Sequence, residues 1–316
     1  MRSGRVARLS AALCLTVLSS PLFCQSVIAE IPVGKQPFMV AANPKTNRIY
    51  VGNQGDDTIS VIDGSSNQVI DTVKLNAAPY GIGVNPVANR IYVVAGHYVE
   101  VIDGNSDAVL RGIRVGAGAN RLAINLWTNR IYVTNENDGT VSVIDALRNR
   151  VMATVKLNGN PIGIAVNSRT NLVYVPLYFC SSCGLVVING STNRVVTTIP
   201  LPGTQLDDVT VRPLGNLVYV TDESKGLFVV DGKTNSVLGN VAGLSAPETV
   251  AVLPGTPLVV ESDTGSNKAV FLNEDSISIS REVAVGMSPS GTAVSWPLRH
   301  VYITNTLSDS VSVIEY

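Results

Sequence analysis

The sequence has 316 residues, with 23 Lys and Arg against 24 Asp and Glu and only two His, which gives a formal net charge of −1. Charged residues form 15% of the chain, compared with roughly 25% in an average soluble domain. No long run of Lys or Arg is present to bind phosphate backbones, which argues against a nucleic-acid partner. Frequent Val, together with 27 Gly and 16 Pro, favours many short strands joined by turns.

The first predicted element is an export signal. Three arginines within the first eight residues precede an apolar run, residues 9–24, that is too short to span a bilayer comfortably. Ala29 is the small residue expected before a cleavage site, and a weaker site follows Cys24. We therefore predict a signal peptide over residues 1–29 and an exported periplasmic, secreted or cell-surface chain that starts at Glu30, with Gln25 as the fallback. No later segment is apolar enough to predict a transmembrane anchor.

A five-residue string, first seen as Asn47-Arg48-Ile49-Tyr50-Val51, recurs along the rest of the chain. Successive copies are 40 to 45 residues apart, which is the period of a four-stranded propeller blade. The tyrosine position of the seven copies is assigned to Tyr50, Tyr92, Tyr132, Tyr174, Tyr219, Val259 and Tyr302. We expect these residues to pack between blades.

Further strings complete each unit. A third strand, such as residues 59–63, ends in Asp or Asn, and an outer strand follows it. The predicted fold is all-β: a seven-bladed β-propeller with four antiparallel strands per blade, formed by residues 30–316 as one domain. The last unit lacks its outer strand, but residues 27–33 align with the outer strand at residues 69–75. The N-terminal strand is therefore predicted to close the last blade.

The string Tyr132-Val133-Thr134-Asn135, with variants at residues 50–53, 219–222 and 302–305, resembles the repeat of the YVTN-repeat β-propeller family. The resemblance covers essentially the whole exported chain. It implies seven blades, export, and roles in binding or surface interaction without a general catalytic signature. It also implies relatives in which a similar propeller hosts cofactors, so the fold by itself does not decide the function.

Motifs for catalysis and cofactors are sparse. The Asp or Asn that ends each third strand is interpreted as a turn residue, since most copies are followed by Gly. His97 and His300 are predicted at opposite faces, which argues against a shared metal. Cys180 and Cys183 have the spacing of a covalent haem site, but Gly184 replaces the axial His, so no covalent haem and no other cofactor is expected. We expect these two cysteines to form a disulfide.

The candidate site lies at the top face, where the inner strands begin. Alignment of the seven units places Phe38, Tyr80, Arg121, Ile162, Asp207, Glu248 and Ser290 at one position. Asp208 follows Asp207 directly, and the flanking top loops are expected to add more acids, namely Glu136, Asp138, Asp222, Glu223, Glu261 and Asp263. The candidate ligand-binding residues are Tyr80, Arg121, Asp207, Asp208 and Glu248, unless the group is only a solvated channel mouth.

Two functions remain open at this stage. The first is a non-enzymatic binding protein, expected to be a monomer, that takes a protein, glycan or small molecule at the top of its central channel. The alternative is a lactonase-like hydrolase, in which Asp207, Asp208 and Glu248 hold a divalent cation through oxygen ligands and activate a water molecule.

Overall fold

The regular structure consists of β-strands arranged as seven blades. The computed structural model describes residues 26–179 and 184–316, and within these residues 29 strands form seven antiparallel sheets. No helix occurs among the described residues, and hence none that is long and apolar enough to cross a membrane. Inner strands of successive blades contact one another, which arranges the sheets as a ring around a central channel. The sequence prediction of fold class is confirmed.

The strands follow each other from the inside of a blade to its outside. Blade 1 consists of β2 (Pro37–Asn43), β3 (Arg48–Asn53), β4 (Thr58–Asp63) and β5 (Gln68–Lys74); blade 2 of β6 (Pro79–Asn85), β7 (Arg90–Ala95), β8 (Tyr98–Asp103) and β9 (Val109–Arg114); and blade 3 of β10 (Ala119–Asn125), β11 (Arg130–Asn135), β12 (Thr140–Asp145) and β13 (Arg150–Lys156). Blade 4 has a divided inner strand, β14 (Asn160–Pro161) and β15 (Ala165–Asn167), followed by β16 (Leu172–Tyr178), β17 (Gly184–Asn189) and β18 (Arg194–Pro200).

The remaining blades repeat this order. Blade 5 consists of β19 (Leu206–Arg212), β20 (Leu217–Asp222), β21 (Gly226–Asp231) and β22 (Ser236–Val241), and blade 6 of β23 (Pro247–Val252), β24 (Leu258–Asp263), β25 (Lys268–Asn273) and β26 (Ser278–Ala284). Blade 7 consists of β27 (Pro289–Ser295), β28 (His300–Asn305), β29 (Ser310–Glu315) and, as its outer strand, β1 (Val27–Pro32).

Blade 7 closes the ring as the sequence predicts. Val27 pairs with Ile314, as Val69 pairs with Ile62 in blade 1, so the alignment of residues 27–33 with residues 69–75 is confirmed. The Glu30 carboxylate accepts hydrogen bonds from Asn305 Nδ2 at 2.9 Å and from Ser312 Oγ at 2.8 Å. One acid of β1 is therefore held by polar side chains of both β28 and β29.

The hydrophobic core lies between the blades. The six tyrosines of the repeat are at most 2% exposed, and each packs with apolar residues of a neighbouring blade, as Tyr132 does with Val173 of blade 4. Since both faces of each sheet are covered, the second and third strands are apolar on both sides. The prediction that these tyrosines pack between blades is confirmed.

The sixth copy of the repeat is out of register by one residue in the sequence alignment. Ala251 pairs with Val260 just as Ala41 pairs with Tyr50, so Val260, rather than Val259, occupies the tyrosine position. This copy lacks both the Asn-Arg start and the tyrosine, and nothing in the string itself fixes its register. Glu261 therefore takes the place of the valine that follows the tyrosine of the repeat, which is Val51 in blade 1.

The acids that end the third strands form turns, as predicted. Asp63 Oδ1 accepts a hydrogen bond from the Ser65 backbone N–H at 2.8 Å, and Asn189 Oδ1 does the same for Ser191. The left-handed residue of the first of these turns is Asn67, with φ of 55°, and not the glycine at position 64. His97 follows β7 at the top face and His300 begins β28 at the bottom, so the two histidines lie at opposite faces as predicted.

Candidate functional site

The first residues of each inner strand lie at the top of the channel. In blades 1, 2, 5, 6 and 7 the first residue of the inner strand pairs with the last residue of the second strand, and in blade 3 Ala119 pairs with Asn135 in the same way. The residues that share the next position are therefore Phe38, Tyr80, Asn120, Asp207, Glu248 and Ser290.

Arg121 stands one residue further along its strand than the sequence alignment places it. Its position is held by Gly81 in blade 2 and Gly291 in blade 7. A Cβ added to Gly81 would lie 2.8 Å from the Arg121 Cα, so glycine there lets adjacent inner strands approach closely. Blade 3 lacks the Pro-x-Gly string that begins the inner strand elsewhere, as at Pro79-Tyr80-Gly81 and Pro289-Ser290-Gly291. Without this landmark, alignment of the units places Arg121 one residue too early.

The Arg121 side chain reaches across the channel. Its Cζ lies 4.8 Å from the centre of the Phe38 ring in blade 1. Its Nη2 is 3.9 Å from Asp207 Oδ2 in blade 5 and 4.0 Å from Glu248 Oε1 in blade 6. The Arg121 side chain is only 4% exposed. One residue of blade 3 therefore contacts three other blades and fills the axis of the ring at this level.

The backbone around Arg121 is held by a hydroxyl relay between blades. The Arg121 N–H donates to Thr134 Oγ1 at 3.0 Å, and that hydroxyl donates to the Ile162 carbonyl of blade 4 at 2.7 Å. In blade 7, Thr304 likewise accepts from the Gly291 N–H at 2.7 Å and donates to the Phe38 carbonyl. The threonine of the repeat thus fixes where the inner strands begin relative to one another, and with it the base of the Arg121 side chain.

The polar groups of this cluster are incompletely paired. Arg121 Nε and Nη1 are buried and have no hydrogen-bond partner among the described residues. The contacts of Nη2 at 3.9 and 4.0 Å exceed hydrogen-bond length. Within the described part of the chain, no hydrogen bond ends on the Asp207 carboxylate, whereas Glu248 Oε2 accepts one from Thr264 Oγ1 at 3.2 Å. Such unpaired buried groups cost free energy.

The pKa values of Asp207 and Glu248 are both raised above those of ordinary carboxyl groups. Burial raises the pKa of Asp207 to about 8, with Arg121 opposing the shift and the nearby carboxyls of Glu248, Asp208 and Glu223 adding to it. Burial also raises the pKa of Glu248, again against the pull of Arg121. At neutral pH the carboxyl of Asp207 is therefore largely protonated.

Asp208 faces blade 6 and takes part in a different contact. Its Oδ2 accepts a hydrogen bond from the Val250 N–H at 3.2 Å, and its own N–H donates to Thr221 Oγ1 at 2.9 Å. Asp207 is buried, with 7% of its surface exposed. Among the described residues, no group of three or more His, Cys, Asp or Glu is arranged to hold a metal ion. The geometry thus gives no support to the metal-dependent hydrolase, because Asp208 points away from Asp207 and Arg121 lies beside both Asp207 and Glu248.

Further polar residues surround the top of the channel. Glu223 accepts hydrogen bonds from Tyr178 Oη at 3.1 Å and from Gln205 Nε2 at 3.2 Å. Burial, together with the adjacent Glu223, raises the pKa of Tyr178 to about 12. Tyr80 is 39% exposed and meets Phe38 edge to face, with ring centres 6.2 Å apart. We call Phe38, Tyr80, Arg121, Asp207, Glu223 and Glu248 the channel cluster.

Several residues of this site have no signal in the sequence that identifies them. Phe38 has the expected position in its repeat unit, but nothing in the sequence shows that its ring lies beneath Arg121, and Gln205 and Thr264 match no feature of the repeat. Of the predicted site residues, Arg121, Asp207 and Glu248 lie together. Tyr80 adjoins them through Phe38, and Asp208 bonds instead to the Val250 N–H of blade 6.

Three of the acids expected in the top loops lie within strands instead. Asp222 and Asp263 end β20 and β24, and their carboxylates accept the backbone N–H groups of Gln205 and Ser245 at 3.0 and 2.9 Å. Glu261 is inside β24, fully buried, and neither of its carboxyl oxygens has a partner among the described residues. Glu261 lies two residues before the end of β24, at the place of Val51 in blade 1.

Several cavities lie towards the top rim among the residues that the structure describes. One of about 310 Å³ is lined by Tyr80, His97, Asn120 and Glu136, and so adjoins the channel cluster at Tyr80. Another, of about 560 Å³, lies between the outer parts of blades 3 and 4, against Leu157, Leu177 and Val195. Cys180 and Cys183 fall outside the described residues, and their disulfide stays a prediction.

Comparisons with known proteins establish the fold. The chain matches no protein-family model and no curated protein among those compared. It is similar in structure to the hydrazine synthase of Kuenenia stuttgartiensis, with a TM-score of 0.82 and 18% identity over 89% of this chain and 96% of that one. It is also similar to a chain of a mitotic checkpoint complex, with a TM-score of 0.81 and 12% identity over 100% of this chain and 99% of that one. At these identities the likeness shows the propeller fold and nothing about the ligand.

Proposed function

We propose that this chain is an exported, non-enzymatic β-propeller of the YVTN-repeat type, which binds a partner at the top of its central channel. The repeat strings support the family, and the charged-then-apolar order of residues 1–29 supports export. The observation that carries the binding function is the crossing of the channel by Arg121, whose guanidinium meets Asp207 and Glu248 from two other blades without hydrogen-bonding to either.

The unpaired hydrogen-bonding capacity distinguishes this cluster from structural ion pairs elsewhere in the ring. Arg90 and Asp103, for example, are 2.7 Å apart in a direct bond. In contrast, Asp207 and Arg121 are held at 3.9 Å, and a partner that supplied hydrogen bonds to the acids would recover free energy that the free protein lacks. A merely structural ion pair would be expected to close this gap.

The proposal is tested by a thermal-unfolding screen of the exported protein against soluble oligosaccharides, short peptides, amines and carboxylic acids. A ligand that binds only the folded state raises the unfolding temperature. The matched variant is Asp207→Asn with Glu248→Gln, which removes the acids and keeps their shape. Asp71→Asn, an exposed change on outer strand β5, serves as the control.

We expect at least one compound class to stabilise the wild type and the Asp71→Asn protein but not the double variant. If no compound depends on the channel cluster, the binding function is wrong. The same samples, assayed with lactones and esters in the presence and absence of a chelator, test the hydrolase; turnover that is lost on chelation would favour it over the binding protein.

A further inference from the structure

We propose that the channel cluster recognises an organic cation, an ammonium or guanidinium group, seated against Asp207 and Glu248. This inference rests on the proposed binding function and adds the chemical class of the ligand. A free amine and a Lys or Arg side chain of a partner share this chemistry, and the experiment below distinguishes them.

The charge count favours a cation. Three carboxyl groups, those of Glu248, Asp208 and Glu223, raise the pKa of Asp207, and the Arg121 guanidinium opposes them. Like charges at close range keep a carboxyl protonated until a further cation compensates them. The cluster is therefore short of positive charge.

The accessible groups are the acidic ones. The side chains of Asp207 and Glu248 are 10% and 21% exposed, whereas that of Arg121 is 4% exposed and its unpaired Nε and Nη1 have almost no accessible surface. An incoming anion would thus meet carboxyl groups before the guanidinium. A cation would meet the two side chains that it can neutralise.

An unpartnered buried side chain marks the position independently of the charge count. The Asp207 residue is 7% exposed, its carboxyl group lies 3.9 Å from the guanidinium, and no described residue donates a hydrogen bond to it. An ammonium or guanidinium N–H placed there would supply that hydrogen bond with full charge assistance.

An aromatic pair lies beside Arg121. The Arg121 guanidinium covers the face of Phe38 at 4.8 Å, and the rings of Phe38 and Tyr80 meet edge to face. Tyr80 itself is 39% exposed. Its ring can therefore contact a cation or the hydrocarbon part that carries it.

Binding of a cation is coupled to release of a proton. Asp207 is faced by Arg121 from blade 3, Glu248 from blade 6, its neighbour Asp208, and Glu223 and Tyr178 at the rim. Since its pKa is raised to about 8, a cation that binds at pH 7 must displace the proton of this carboxyl. Affinity is therefore expected to rise about tenfold per pH unit below pH 8 and to level off above it.

The test is titration calorimetry of the wild-type exported protein in buffers of different ionisation enthalpy. The probes are butylammonium, butylguanidinium and the blocked peptide Gly-Lys-Gly, with N-butylacetamide and butyrate as neutral and anionic counterparts. We expect the cations to bind with uptake of about one proton by the buffer and the counterparts not to bind. Tighter binding of the peptide indicates a protein side chain as the source, and tighter binding of the free amines indicates a small molecule.

Variants complete the test. Asp207→Asn should weaken the cations about tenfold or more and abolish proton release, Glu248→Gln should weaken them with proton release retained, and Asp71→Asn should change neither. The number of protons released when a cation binds is measured on the wild type alone, so the inference stays testable if a variant fails to fold. Equal binding of N-butylacetamide, preference for butyrate, binding without proton release, or no binding of any cation would overturn it. If the unfolding screen finds cluster-dependent ligands that are neutral or anionic, the proposed function stands and this inference alone fails.

Discussion

Glu261 places a carboxyl group at a buried position where the other copies of the repeat have an apolar side chain. The equivalent position in each of the other blades is held by Val or Ile, as at Val51 and Val133. Burial raises the pKa of Glu261 well above its usual value, and the acids Asp263 and Glu282 add to the shift. The carboxyl is therefore kept neutral in the fold, with no partner for either oxygen among the described residues.

The first prediction is that Glu261→Val stabilises the protein. An unpaired buried polar group costs about 1–3 kcal/mol, and Val fills this position elsewhere in the ring. Because the folded pKa is above the unfolded one, the neutral acid is tolerated best below about pH 4. Stability is then lost as pH rises from the unfolded pKa through the folded one.

Urea unfolding at pH 5 and pH 8 measures both effects. The gain from Glu261→Val should be larger at pH 8, and Glu261→Gln should remove the pH dependence without the gain in packing. A variant no more stable than the wild type at either pH would show that the carboxyl has a partner in solution.

At the scale of single elements, β1 contains the predicted cleavage site of the signal peptide, so the position of cleavage would decide how much of this strand remains. Ala29 and Val27 pair with Val313 and Ile314, so cleavage after Ala29 would remove the first half of β1, whereas cleavage after Cys24 would keep the whole strand. Glu30 would remain in either case. Its carboxylate holds Asn305, Ser310 and Ser312 in both candidate products.

The second prediction compares these products. Intact mass of the exported protein should give a start at Glu30, with Gln25 as the fallback. A chain made to begin at Gln25 should unfold a few degrees higher than one that begins at Glu30, since it adds about 1–2 kcal/mol of strand pairing. A chain that lacks residues 1–33 should lose far more, because β29 would become an unpaired edge. Equal unfolding temperatures for all three chains would contradict the closure of blade 7 by β1.

The third prediction concerns the loop between β16 and β17. Cys180 and Cys183 are expected to be oxidised in an exported protein. Thiol titration of the unreduced, denatured product should detect neither cysteine, and their replacement by Ser should cost about 2 kcal/mol or less, because the closed loop is short. Two reactive thiols would refute the disulfide.

The elements that sequence analysis placed correctly are those with intact repeat landmarks. Three copies retain the full Asn-Arg-Ile-Tyr-Val string, and their strands, turns and buried tyrosines follow from it. Both errors of register occur where landmarks are missing: at Val260 in blade 6 and at Arg121 in blade 3. The crossing of the channel by Arg121 could not be predicted, because it depends on the length of one side chain relative to the width of a ring formed by distant blades.

At the scale of the whole molecule, one sheet of the ring differs from the other six in the sequence distance between its paired strands. Six blades are formed by consecutive strands, while blade 7 needs a strand from the opposite end of the sequence, with Glu30 and Ser312 separated by 282 residues. The remaining sheets need only local hairpins. Long-range pairing of this kind slows folding, because the chain must lose the entropy of a large loop before the contact forms.

The fourth prediction uses a circular permutant to isolate that contact. Residues 27–33 are moved behind Tyr316 through a short turn of the kind that joins β4 to β5, and the new chain starts at Lys35. Blade 7 then becomes a local meander like the others. Refolding should become faster while unfolding changes little, provided that the closing pair forms in the transition state. Stopped-flow measurements on both chains decide this, and an unchanged refolding rate would place the slow step elsewhere.

The late pairing of β1 also has a consequence for synthesis. β1 precedes blades 1 to 6 in the chain and its partner β29 follows them. β1 therefore stays unpaired until β29 has been synthesised, while blades 1 to 6 can fold one after another. During this interval β1 and β29 each present an open edge, and two nascent chains could pair with each other instead of within themselves. The same strand exchange that closes one ring would then link two, so we expect crowding of incompletely folded chains to promote their association.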